Sequence, residues 1–128
     1  MSEADCRQLL GCAEIGRVIV SIEALPAAFP VNYRVVDDAI VFRTGPGTKL
    51  TAALNGRVVG FEVDALDPVT RSGWSVLVVG MSTAVTDPAE VAVLDLHGIN
   101  SWADGVFSHY VRVSLDQLSG RRILPALV

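Results

Sequence analysis

Trp74-Ser75-Val76-Leu77-Val78-Val79-Gly80-Met81-Ser82-Thr83-Ala84-Val85-Thr86 is the stretch that decides the fold. Its apolar run, Val76 to Met81, is the longest in the chain. That run is strand-sized, well below the ~18 residues a membrane-spanning helix requires. β-Branched side chains pack well on a pleated surface, so 74–86 reads as one long strand. Gly80 in its interior marks a bend or bulge of the kind found in a barrel wall. The same bias runs through the chain, with 20 Val against 13 Leu.

Working outward, further strands follow by the same signals. Arg17 to Ile22 is a short apolar strand after Gly16. Ala28 to Val36 and Ala39 to Thr44 form a hairpin about Asp37-Asp38. Gly45-Pro46-Gly47 breaks the ladder, and Thr48 to Asn55 reads as a short helix with Leu50, Ala53 and Leu54 inward and Gly56 at its cap. Arg57 to Asp64 is the next strand, and Leu66 to Arg71 is a loop about Asp67-Pro68. Asp87-Pro88-Ala89-Glu90 starts a helix that runs to Leu96 or His97. Phe107 to Ser114 is a strand, and Gly120 to Leu124 is a terminal one. At the N-terminus, residues 4–14 read as a helix burying Cys6, Leu9, Leu10 and Ala13. Six or seven strands with two or three short helices predict one mostly β domain over 1–128, a small β-barrel with helical covers.

The 128 residues carry 10 Lys and Arg against 14 Asp and Glu, a net charge of −4. A general nucleic-acid binder needs a basic face, and a polybasic membrane anchor needs a basic cluster, so neither partner is expected. The acidic start, Met1 to Asp5, lacks the basic and apolar regions of a signal peptide, and Cys6 and Cys12 lack metal spacing. A cytoplasmic protein with two reduced cysteines and no metal follows as the expectation. The 51% of hydrophobic residues exceeds what one modest core consumes, which points to a subunit interface or a bound planar ligand.

Signatures of hydrolases and of dinucleotide folds are absent. Gly45-Pro46-Gly47-Thr48-Lys49-Leu50 departs from a P-loop in spacing, yet it offers glycines, the Thr44 and Thr48 hydroxyls, the Lys49 charge and a helix start, all suited to an anion. The alternative is a solvated turn with a helix cap. Arg43 stands beside that site on the polar side of its strand. Asn32, mid-strand beside Tyr33, needs a partner for its amide, supplied by a ligand edge or by local backbone. Trp74 reads as core or as a stacking platform. His109 shares an apolar face with Phe107, Val111 and Val113 and reads as a core or interface histidine, and His97 lies near a helix end. Glu62 and Asp64 share one strand face, but nothing nearby supplies the counterpart that hydrolytic chemistry would need.

Taken in order, Gly16-Arg17-Val18-Ile19-Val20, Pro30-Val31-Asn32-Tyr33, Val41-Phe42-Arg43-Thr44, Gly47-Thr48-Lys49-Leu50, Val59 to Asp64 and Gly73 to Gly80 resemble the pyridoxamine 5′-phosphate oxidase-like, flavin-binding split-barrel proteins. The resemblance covers residues 5–124. It implies a split-barrel homodimer with two flavin sites between subunits. It further implies that Arg43, Thr44, Thr48 and Lys49 hold the FMN phosphate, that Pro30, Val31, Asn32 and Tyr33 run along the isoalloxazine, and that Trp74 and Ser75 form the next ring-contacting segment. Trp102 and Arg112 are candidates to reach the partner's cofactor. Deazaflavin is the alternative cofactor, and haem a third, with His109 or His97 as ligand. The expected activity is hydride transfer between the flavin and a small-molecule substrate; the alternatives are a deazaflavin-dependent reductase and a non-catalytic flavin- or haem-binding protein. The chain lacks the Arg/His-bearing C-terminal segment of true pyridoxamine phosphate oxidases, which argues against vitamin B6 oxidation.

Overall fold

A computed structural model describes residues 1–45, 48–99 and 109–125, with backbone only at 48 and 49. Along the chain run α1 (Glu3–Leu10), β1 (Ile15–Ile22), β2 (Leu25–Val36), β3 (Ala39–Thr44), α2 (Thr48–Ala53), β4 (Val58–Asp67), β5 (Ser72–Val85), α3 (Pro88–Asp95), β6 (His109–Ser114) and β7 (Gln117–Ile123). All strand pairings are antiparallel, in the order β4-β1-β2-β3-β6-β5-β7, and β4 also pairs with β5. That last pairing closes a six-stranded barrel and leaves β7 as an appended strand.

β5 carries this closure. One of its edges pairs with β4 from Ser72 to Met81. The other pairs first with β7, over Gly73 to Val79, and then with β6, over Ser82 to Val85. Gly80 sits at the handover. A Cβ there would stand 1.7 Å from the Ser114 carbonyl oxygen, so the β6–β7 turn can approach only because the side chain is absent. The next residue secures the turn, since the Met81 N–H donates to Ser114 Oγ (3.1 Å) and to an Asp116 carboxylate oxygen (3.2 Å).

Alternation sorts the strands into an inner and an outer face. Val18, Val63, Val76, Val78, Val113, Phe42 and Phe61 fill the inside with no exposed surface. Each such side chain contributes roughly 1.5–3 kcal/mol of burial. Phe61 is the centre, edge-on to Tyr33 at 5.1 Å and stacked with Phe42 at 5.8 Å between ring centroids. α1 closes one mouth with Cys6 and Leu10, capped by Ser2, whose Oγ accepts from the Asp5 N–H. α2 covers the other mouth with Ala53 and Leu54. A second cluster outside the barrel, Val36, Val41, Val85, Leu94, Ile99 and Tyr110, packs α3 against β3 and β6.

Several expectations change. The N-terminal helix stops at Leu10, with Gly11 as its cap, rather than continuing to residue 14. The 66–71 loop shrinks to a turn, because β4 runs on to Asp67 and β5 starts at Ser72. The terminal strand begins at Gln117 rather than Gly120. Asp87 holds the N-cap position of α3 without a side-chain cap bond. Phe107 lies outside the described residues.

The handover at Gly80 predicts that Gly80→Ala lowers unfolding stability by about 2 kcal/mol or more, because the added carbon meets backbone rather than a yielding side chain. Urea denaturation measures it. A loss within about 0.5 kcal/mol, the range of ordinary surface changes, would contradict the role given to this position.

Candidate functional site

The pleat decides which candidate side chains can meet a ligand. On β2 the even positions face outward: Pro30 is exposed and Asn32 half-buried, whereas Val31 and Tyr33 point into the core. Tyr33 is 1% exposed, and its hydroxyl donates to the Leu10 carbonyl at 2.5 Å, tying α1 to the barrel. Burial, first of all, holds this phenol well above its ordinary pKa. With their side chains in the core, Val31 and Tyr33 offer a ligand on the outer face only their backbone.

A similar split separates Arg43 from Thr44. Tyr33 pairs with Phe42 on β3, so Asn32 and Arg43 lie next to one another on the outer face, while Thr44 turns inward with Ile40 and Phe42. Arg43 is half-buried rather than solvated. Its Nη1 donates to the Ile99 carbonyl (3.4 Å), and its guanidinium lies 5.0 Å from the Tyr110 ring centroid. The Tyr110 hydroxyl donates to Asp95 at 2.7 Å. Burial first, then that hydrogen bond, push its pKa up to about 12. Tyr110 alternates with Val111 and so falls by pattern on the polar side of its strand, the side that α3 covers. Thr44 is 4% exposed, and its Oγ1 finds no partner among the described residues.

Asn32, Glu14, Arg34, Gly98 and Ile99 line a small recess of about 60 Å³ beside Arg43. Among the described residues the Asn32 amide makes no side-chain hydrogen bond, so its polar edge is available to a ligand. Thr48 and Lys49 open α2, and their side chains lie outside the description, as do Gly47 and Trp102.

Trp74 and Ser75 also divide between faces. Trp74 packs half-buried against the core with Val76 and Val78, and Ser75 faces outward opposite Asp64 and Arg121. By register, Ser75, Asp64, Ile15 and Asn32 fall in one row across the outer face of β5, β4, β1 and β2. That face is unusually apolar: Ile15, Ile19, Val58, Leu77 and Met81 are 37–67% exposed. Gly60 lets Ile19 and Leu77 close over it, with Ile19 Cβ at 3.3 Å from where a Cβ would stand.

In the middle of this face sits a charge cluster whose partners only the register brings together. Arg17 pairs across from Glu62, and its Nη1 donates to Glu62 Oε1 (2.9 Å) and Asp64 Oδ2 (3.0 Å). Glu62 and Asp64 thus share one ion-pair partner, Arg17. The Arg17 guanidinium holds its proton more tightly, chiefly through Asp64. One cation serves two carboxylates, and Glu62 is the one left short. Burial, then Asp64, hold its carboxyl above its ordinary 4.5, against the opposing pull of Arg17.

Both histidines are exposed. His109 keeps the parity of Val111 and Val113, but it is exposed at the strand's end opposite Thr44, so of the core and interface alternatives the core one is corrected. Arg112 faces Glu90 of α3 at 3.9 Å. No group of three or more His, Cys, Asp or Glu is arranged to hold a metal among the described residues, and no helix there is long and apolar enough to cross a membrane.

The family model described as pyridoxamine 5′-phosphate oxidase matches residues 2–122. The chain belongs to this family. An uncharacterized protein of Mycobacterium tuberculosis is 36% identical over 125 residues, covering 94% of this chain and 82% of the relative. The solved FAD-binding protein of Mycobacterium smegmatis superposes with a TM-score of 0.84 at 33% identity, covering 98% of each chain. An FAD-binding protein of Mesorhizobium loti shares the fold, with a TM-score of 0.77 at 21% identity over 95% of each chain. The split barrel expected of a family member is therefore the fold observed.

The Glu62 environment predicts a pH dependence. A carboxyl whose folded pKa is raised contributes stability that is full below its unfolded value and is lost as pH rises through the folded value. Replacing it by the neutral Glu62→Gln should become more favourable, relative to the parent, between about pH 4 and about pH 7. Thermal midpoints at the two pH values test this. The opposite trend would mean that the Arg17 contact outweighs burial and Asp64.

Proposed function

We propose that this chain is a flavin-binding oxidoreductase that works as a homodimer, with FMN, or the FMN portion of a larger flavin, on the outer face of β2 at Pro30 and Asn32. The observation that carries the reading is the 33% identity, over 98% of each chain, to a protein that binds FAD. The residues present fit such a group. The Asn32 amide has open donor and acceptor capacity, the Thr44 hydroxyl is buried without a partner among the described residues, and an apolar sheet face lies alongside. A patch of this kind is normally covered, and a second copy of the chain would cover it while walling the flavin groove.

On this reading a bound flavin supplies hydride transfer to or from a small-molecule substrate. The protein's part is orientation and exclusion of water. Asn32 hydrogen-bonds the polar edge of the ring, Pro30 gives it a rigid apolar support, and the Val31 and Tyr33 backbone line its path. Arg43, fixed by Ile99 and Tyr110, holds the wall of the Asn32 recess in place. Thr48 and Lys49 receive the phosphate. Ser75 lies in the same row as Asn32, three strands away, on the side where substrate would enter. A cytoplasmic setting suits the two free cysteines, Cys6 buried and Cys12 exposed.

Absorbance titration tests the reading. FMN should bind saturably, and Lys49→Ala should weaken FMN by about tenfold while changing riboflavin little, as expected for loss of one charge-assisted phosphate contact. Equal losses for both would remove Lys49 from the phosphate site. Absence of saturable binding by any flavin would overturn the reading.

A further inference from the structure

The apolar outer face carries a charge pattern that a single copy of the chain leaves incomplete. At the outward positions of β7, β5, β4, β1 and β2 the charged side chains are Arg121, Glu62, Asp64 and Arg17. Two positive charges against two negative ones make this face neutral, in a chain whose net charge is −4. The four are not paired off evenly. Arg17 donates to both carboxylates, at 2.9 and 3.0 Å, while Arg121 is exposed and makes no hydrogen bond or ion pair among the described residues. By register Arg121 lies beside Ser75, and Ser75 beside Asp64. Two strand spacings, roughly 9–10 Å of backbone, therefore separate Arg121 from Asp64 within one chain.

A carboxylate pair short of one cation thus shares a surface with a cation that has no carboxylate. Around them Ile15, Ile19, Leu77 and Met81 remain 37–48% exposed. These features choose among occupants. An acidic partner needs a basic face, and a basic partner needs a net negative one; this face is neither. A two-fold dimer sets one surface against itself, so a residue that meets a second residue on the partner is met by it in return. Such a surface must carry both members of each polar contact, and this one does. Covering the apolar side chains also partly desolvates Glu62 and Asp64, which is favourable only if their remaining charge is matched. A guanidinium fork suits that task, because it can bond carboxylate oxygens two at a time.

We propose that this face binds a second copy of the chain through a charge contact made in trans: the partner's Arg121 closes the Arg17–Glu62–Asp64 cluster, and the reverse contact is made in return. The proposal rests on the reading of this face as a subunit interface and deepens it, since each cluster is complete only across the interface. Two arginines then balance two carboxylates in each cluster, with the apolar side chains between the clusters removed from water.

Sedimentation velocity over a concentration series, with FMN present and absent, decides it. Arg121→Gln should raise the dimer dissociation constant about tenfold or more, and Arg121→Glu about a hundredfold, because two symmetric contacts are lost or reversed. Asp64→Lys should weaken self-association likewise. An equimolar mixture of Arg121→Glu and Asp64→Lys chains should associate at least about tenfold more tightly than either variant alone, because one cluster is then native and the other inverted. Circular dichroism checks that each variant keeps the parent fold, and should Asp64→Lys not fold, the two Arg121 variants decide. A dimer whose affinity Arg121→Glu leaves unchanged would overturn the proposal while the dimer reading stands, as would a mixture no tighter than its components. A parent chain that stays monomeric at every concentration would overturn both.

Discussion

One edge of one strand carries two partners, and the rest of the molecule depends on that. β5 must hold β7 along its first half and β6 along its second, so the turn joining them has to press against β5 where the partners change. Gly80 provides the room, and Met81, Ser114 and Asp116 fasten the turn. With β6 so placed, β3 and then β2 can follow around the barrel, while β4 closes it from the other side. The ring of strands then has a dense interior centred on Phe61 and an outer face that α3 covers over β3 and β6 but that stays exposed over β1, β4 and β5.

That division explains why the candidate site is scattered in sequence yet coherent in space. Along β2 every second residue serves the core, so Asn32 can address a ligand only because Val31 and Tyr33 hold the strand from within. Arg43 joins Asn32 from the neighbouring strand and is fixed in turn by Tyr110 and the end of α3. The polar recess and the barrel core are two faces of the same few residues. α2 adds a third feature, since Ala53 at its end and Leu54 just after it plug the barrel while Thr48 and Lys49 stand at its start.

Much of this was legible in the residues. β3 was placed at its observed limits, Ala39 to Thr44, because Asp37-Asp38 and Gly45 punctuate it clearly. The long strand with Gly80 at a special position was legible in the order of residues 74–86. What alternation could not supply was register and the far ends of strands. Arg17 finds Glu62 and Asp64 only because β1 and β4 are aligned at that offset, 45 residues apart for the first pair. His109 has the parity of the core but lies past its last layer. Arg43 and Thr44, adjacent in sequence, part company because a pleat sends neighbours to opposite faces.

The surplus of apolar residues now has a location: the outer face bearing Ile15, Ile19, Val58, Leu77 and Met81. The account assigns that face to a second copy and to a flavin held beside Asn32, so cofactor and assembly should appear together. Sedimentation equilibrium of the flavin-loaded protein, followed in the flavin's visible band, tests this directly. The account predicts that the visible chromophore sediments at twice the chain mass with one flavin per chain. A chromophore travelling with a single chain, or protein sedimenting without any bound flavin, would contradict it.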